Sequence, residues 1–151
     1  MMTIILSVVK AVILGFLAYL VWYDIKYKKV PNKVLLVMLP CTVLHLILST
    51  IEYGWSSLLY GILGALLGGG LLLISAMMTK GGVGGGDIKL AAVLGLAVGF
   101  EGMVVLLISA CLGAMAYALF CRYMLRMQMI RIAFVPFMTI GYILSVIYNF
   151  I

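Results

Sequence analysis

Charge is what this sequence has least of. Only 9% of its 151 residues are charged and 67% are hydrophobic, where a soluble domain carries roughly 25% charged residues. Mean hydropathy is +1.34. No polar stretch is long enough for a soluble domain of its own, so residues 1–151 are expected to form one polytopic membrane domain. Cysteine is sparse too: Cys41, Cys111 and Cys121 lie in apolar surroundings with no Cys-x-x-Cys pair. That spacing fits neither a zinc site nor a disulfide framework, and the three are read as small buried hydrophobes. The single histidine, His45, sits in an apolar run with no second metal-type ligand beside it. It is read as packed or helix-bonded, so neither a metal nor a cofactor is called for. Acidic groups number four, Asp24, Glu52, Asp87 and Glu101.

What is abundant is apolar sequence in long runs. At roughly 20 residues per membrane helix, six spans are expected, near 4–23, 34–51, 58–79, 88–100, 103–121 and 132–150. The fold class is therefore an all-α membrane protein, a compact bundle of about six transmembrane helices. The first run is too long for the apolar core of a signal peptide and lacks a small-x-small cleavage site, so it reads as a retained helix. Lys10, a charge within it, is expected to snorkel or to face the bundle. In the third span Gly61, Gly64, Gly68, Gly69 and Gly70 offer a small-residue face for close helix packing, with Gly61, Ala65 and Gly69 spaced four apart.

Basic residues set the expected orientation. Lys26, Lys28, Lys29 and Lys33 fall in the first connection, Lys80 and Lys89 flank the next on that side, and Arg122, Arg126 and Arg131 occupy the last. Glu52 and Glu101 fall in the opposite loops. This puts the basic connections at the cytoplasmic face and both chain ends outside. The net charge of +6 is then met by positive-inside loops and anionic lipid headgroups, with no nucleic acid required.

Both aspartates, Asp24 and Asp87, lie where a hydrophobic span meets that basic side. A carboxylate at such a boundary is costly without a task. Brought together, two carboxylates tend to share one proton. One then acts as base on a water while the other protonates a carbonyl oxygen, and the chemistry needs no metal. Gly84 and Gly86 are expected to supply unusual backbone angles and close approach beside Asp87. Asp87 is placed in the first turn of the fourth helix, where the macrodipole favours its charged form. Pro31 is expected to set the direction of the second helix and Asn32 to cap it. Taken singly, a glycine run suits a hairpin and a lone aspartate suits an N-cap; the combination on one face is the specific signal.

Two stretches carry a family resemblance. Asp24-Ile25-Lys26-Tyr27-Lys28-Lys29-Val30-Pro31-Asn32 and Gly84-Gly85-Gly86-Asp87-Ile88-Lys89-Leu90 resemble the paired motifs of the type IV prepilin peptidases, GxGD-type aspartic proteases of the bacterial membrane related to archaeal preflagellin peptidases. The resemblance implies a leader peptidase with catalytic Asp24 and Asp87, a catalytic water and no cofactor. Its implied partners are pilin and pseudopilin precursors, cut at the cytoplasmic face after a glycine and before a hydrophobic helix. Lys89 or Lys26 is expected to orient the pair or the substrate, or else to anchor the loop. The family's Pro-Phe-x-Pro-Phe turn stands here as Ala133-Phe134-Val135-Pro136-Phe137, with the first proline replaced. The insertion with two Cys-x-x-Cys pairs, associated with N-methylation in long members, has no counterpart, so methyl transfer is not expected.

Other readings stay open at this point. The presenilin and signal-peptide-peptidase type shares the two short motifs but has about nine spans and a Pro-Ala-Leu motif, which this chain lacks. A small carrier or channel subunit could use the aspartates as a proton or cation site, though such sites usually lie near the midplane of repeated halves. A purely structural assembly subunit would leave the paired motifs without a role. Whether the chain acts as a monomer or a dimer is not written in its sequence.

Overall fold

A computed structural model describes residues 2–79, 83–124 and 133–148. Lys80, Gly81, Gly82, Arg126 and Arg131 lie outside the described residues. Five helices account for nearly everything described: α1 (Met2–Tyr27), α2 (Asn32–Tyr53), α3 (Trp55–Met78), α4 (Gly85–Met124) and α5 (Val135–Tyr148). Each buries one stripe. On α1 it runs through Leu6, Ile13, Leu17, Leu20 and Asp24, spaced three, four or seven apart as one face of a 3.6-residue helix requires. The opposite faces are as apolar as the core. Leu36, Leu66, Leu71 and Leu112 all lie exposed, the pattern of helices whose outer solvent is lipid. Among the described residues, α1 to α4 are each long and apolar enough to cross a membrane, and α5 is shorter. The chain is an all-α, multi-pass membrane protein.

Five helices stand where six spans are expected, because the expected fourth and fifth are joined. Within α4, Gly99 alone is non-helical, with φ 73 and ψ −175. Packing partners show what happens there. Ahead of Gly99, close approaches pair Gly61 with Leu96, Gly64 with Gly95 and Gly68 with Ala91, so this arm runs antiparallel to α3. Beyond it, Gly113 meets Phe137 and Gly141 meets Leu106, so the second arm runs antiparallel to α5. In turn Val135 meets Asp24 and Tyr142 meets Lys10, which sets α5 antiparallel to α1. These directions agree only if the chain reverses at Gly99, and Ala91 and Met103 accordingly both reach Gly68. The first arm, residues 85–98, is about 21 Å long at 1.5 Å per residue, short of a ~30 Å hydrocarbon core.

The α2–α3 corner uses the same device: Gly54 alone separates the helices, with φ 86 and ψ −175. Positive φ with ψ near 180° is a region essentially reserved for glycine. Both corners lie at the end of the bundle away from the aspartates. Glu52 and Glu101, expected in loops there, instead sit within helix, in the last turn of α2 and just beyond Gly99.

The α3 seam lies within the expected small-residue face. Gly61, Gly64 and Gly68 are its buried glycines, a line spaced three then four rather than the four-apart set Gly61, Ala65 and Gly69. A Cβ on Gly64 would lie 2.6 Å from the Gly95 carbonyl oxygen, so α3 and α4 touch backbone to backbone. A 3-then-4 spacing keeps one stripe in line along a straight helix where repeated fours drift. One buried cluster draws on all five helices, including Leu17, Met38, Leu72, Leu94, Met103 and Met138.

Candidate active site

Asp24 does not open a loop. It occupies the last turn of α1, where its carbonyl accepts the helix-ending N–H of Lys28 at 2.7 Å; Lys28 then takes a left-handed conformation, φ 51. The side chain turns inward and is only 4% exposed. Its Oδ2 accepts the Val135 N–H at 3.1 Å, with the Phe134 backbone beside it. Val135 is the first residue of α5, so a carboxylate from the end of one helix occupies the donor-rich N-terminus of another.

Asp87 lies in the first turn of α4, as expected. The Asp87 N–H donates to the Gly84 carbonyl at 3.0 Å, and the Gly84 backbone lies close enough to favour the charged form of the Asp87 carboxylate. Aspartate thus stands at the third helical position, beside the donors of its own helix start. Asp87 Oδ1 is buried with no hydrogen-bond partner among the described residues. Asp24 stands close enough for its charge to act on the Asp87 carboxylate. Two helix starts, α4 and α5, thus bring the chain's two aspartates to one end of the bundle.

Of the two roles expected of the glycines beside Asp87, close approach is seen and unusual backbone angles are not. Positive φ occurs among the described residues only at Lys28, Gly54 and Gly99, so neither Gly84 nor Gly86 is needed for unusual angles. Space is the constraint. A Cβ on Gly86 would stand 2.7 Å from the Val30 Cβ, and one on Gly84 would stand 3.1 Å from Asp87 Oδ2, while Gly85 has nothing within 4 Å. Gly86 therefore receives the α1–α2 connection, and Gly84 lets the aspartate fold back on its own helix start.

The same connection meets α4 a second time. Asn32 was expected to cap α2, but it is the first residue of that helix; Pro31 is the cap residue, and no side-chain cap bond forms. Asn32 Oδ1 instead accepts a long hydrogen bond, 3.4 Å, from Lys89 Nζ. Val30 on Gly86 and Asn32 on Lys89 thus join the two sequence motifs. Lys26 is turned elsewhere, with its ammonium 5.2 Å from the Trp22 ring centroid and 5.4 Å from that of Tyr27.

The contributor missed in the sequence is Val135, which serves through its backbone N–H. Its only signal was Pro136, since proline favours the first turn of a helix.

Comparison with known proteins bears on this end of the bundle. A stretch of 78 residues, 52% of this chain, is 40% identical to the prepilin leader peptidase/N-methyltransferase of Bacillus subtilis (strain 168) and covers 30% of that protein. No solved structure matches the chain. The model of the type IV leader peptidase family matches residues 11–119, a span that holds both aspartates and the connection packed between them, and the chain belongs to that family.

Proposed function

We propose that the chain is an aspartic endopeptidase that removes basic leader peptides from prepilin-like precursors, with Asp24 and Asp87 as its acid–base pair. The observation that supports this reading is that the two carboxylates lie at one end of the bundle, near enough for the charge of Asp24 to act on Asp87. One is held by the start of α5, and the other keeps a buried, unpartnered oxygen. An unpaired buried carboxylate oxygen is costly, and a proton shared with a neighbouring carboxylate relieves that cost. The ionised partner then takes a proton from water as it attacks the scissile carbonyl. The protonated partner donates to the carbonyl oxygen, and the roles reverse as the amine leaves.

Family membership and the Bacillus subtilis relative's name support a leader-peptide substrate. Because the match covers 30% of that relative, the proposal is confined to peptide cleavage. Orientation follows from charge. Lys26, Lys28, Lys29 and Lys33 flank the aspartates, Arg122 stands in the last turn of α4, and the positive-inside rule puts this end in the cytoplasm. A substrate whose own hydrophobic helix lies in the same bilayer arrives already oriented, which lowers the entropic part of the barrier.

The deciding experiment is co-expression with a prepilin from the same genome, with leader removal followed by gel shift and mass spectrometry. Wild type is expected to cut, while Asp24→Asn and Asp87→Asn at equal membrane levels do not. A variant that cuts at the wild-type rate would refute the paired mechanism. A wild type silent on several prepilins would direct attention to ion flux, the signature of a carrier.

A further inference from the structure

The opposite end of the bundle holds a second polar chamber. A cavity of about 310 Å³ opens between α1, α2, α3 and the Gly99 corner, lined by Lys10, His45, Ser49, Tyr53, Ser57 and Tyr60 among others. That is far more than the ~10–15 Å³ one water needs. His45 is 5% exposed, and neither of its ring nitrogens has a hydrogen-bond partner among the described residues. It was expected to be packed or helix-bonded, and it is packed. Lys10 stands near enough for its charge to act on the imidazole. A histidine and a lysine within apolar spans are both expensive, and such groups mark binding or transport sites by default.

The lining is polar. Among the described residues it carries an amine, an imidazole and four hydroxyl side chains and no carboxylate. This chemistry suits an anion with several acceptor oxygens. Lys10 also lines an apolar groove between α1 and α5, with Leu14, Ile143 and Val146. One residue thus borders both a pocket for a charged head and a furrow for a hydrocarbon chain.

We propose that this chamber binds a phosphate group, that of a phospholipid headgroup whose acyl chain follows the α1–α5 groove. The site is independent of the proposed peptidase chemistry at the other end.

The single histidine of the chain makes the test direct. Protein labelled with nitrogen-15 in histidine alone, held in an uncharged detergent, is titrated with dihexanoyl phosphatidylglycerol, with dihexanoyl phosphatidylcholine and with inorganic phosphate. The ring-nitrogen resonances are expected to shift saturably with the lipids, and Lys10→Gln is expected to weaken the response roughly tenfold or more, as loss of a charge-assisted bond would. Asp87→Asn should respond like wild type, which separates this site from the peptidase reading. A shift with inorganic phosphate as well would keep the phosphate site and assign it to free anion. No shift with any of the three, or an undiminished one in Lys10→Gln, would overturn the proposal and leave a hydrated chamber. Should Lys10→Gln fail to fold, Ser49→Val, which fills the chamber wall, must lose the response in the same way.

Discussion

The two ends of the bundle turn the chain by different means. Away from the aspartates, single glycines make the corners, and Gly54 and Gly99 share nearly the same backbone angles. At the aspartate end the connections are longer, and their side chains and backbone donors are spent on one another: Val30 on Gly86, Asn32 with Lys89, Val135 with Asp24. The difference separates stiffness from assembly. A one-residue corner fixes how two helices meet and leaves no loop to carry chemistry. Longer connections bring groups from distant parts of the chain to one place, which suits a site made from the ends of several helices.

The sharpest way to break the comparison is to remove charge at one end only. Asp24→Asn and Asp87→Asn are each expected to lower prepilin cleavage by about 100-fold or more, the scale of acid–base catalysis. Thermal midpoints in detergent should move far less. If one proton is shared by the pair, wild-type cleavage should also trace a bell against pH. It fails at low pH when both carboxylates are protonated and at high pH when both are ionised. A monotonic profile would count against sharing.

Next in size is the helix seam. Gly64→Val would drive a side chain into the Gly95 carbonyl, already 2.6 Å from where a Cβ would stand. Overpacking of this kind costs about 1–3 kcal/mol, here toward the upper end because backbone cannot repack. Detergent unfolding should show it, with cleavage falling only through loss of folded protein. Gly99→Ala tests the corner itself. Its Cβ would meet nothing closer than 3.7 Å, so the expected cost, about 1–3 kcal/mol, is conformational strain alone.

Finer still is the contrast within one motif. Gly86→Ala must push Val30 aside and should reduce cleavage several-fold, whereas Gly85→Ala, with open space around it, should stay within about twofold of wild type. Equal effects at the two positions would mean that the Val30 contact does not position the site. Smallest is Lys89→Ala. It loses a 3.4 Å hydrogen bond to Asn32 that is worth about 1 kcal/mol or less. A complete loss of processing at an unchanged protein level would instead give the ammonium a part in the chemistry.

Much of this architecture is legible in the sequence, because the bilayer imposes length and apolarity on every span. The all-helical fold, the placing of Asp87 in a first helical turn, and the clustering of Lys26, Lys28, Lys29 and Lys33 beside Asp24 follow from that alone. Corners and seams are harder to read. Gly-Phe-Glu-Gly at residues 99–102 suggests a loop centred on Glu101, yet one glycine completes the reversal and Glu101 is already helical. The α3 glycines offer more than one possible seam, and only the partner helix decides between them. Asn32 has the composition of a cap but is drawn to Lys89, a contact between residues far apart in sequence. Val135 leaves no trace in composition at all, since every residue but proline carries the N–H it contributes.

The hold of α5 on Asp24 has a consequence for the order of synthesis. A chain made from its N-terminus presents Asp24 early and Asp87 about midway, but the N–H that fixes Asp24 belongs to residue 135. Until that helix is made and packed, the first carboxylate has neither its donor nor its final burial. If the pair is the cutting edge, the nascent protein stays unarmed through most of its own translation, and neighbouring membrane proteins are spared a half-built protease.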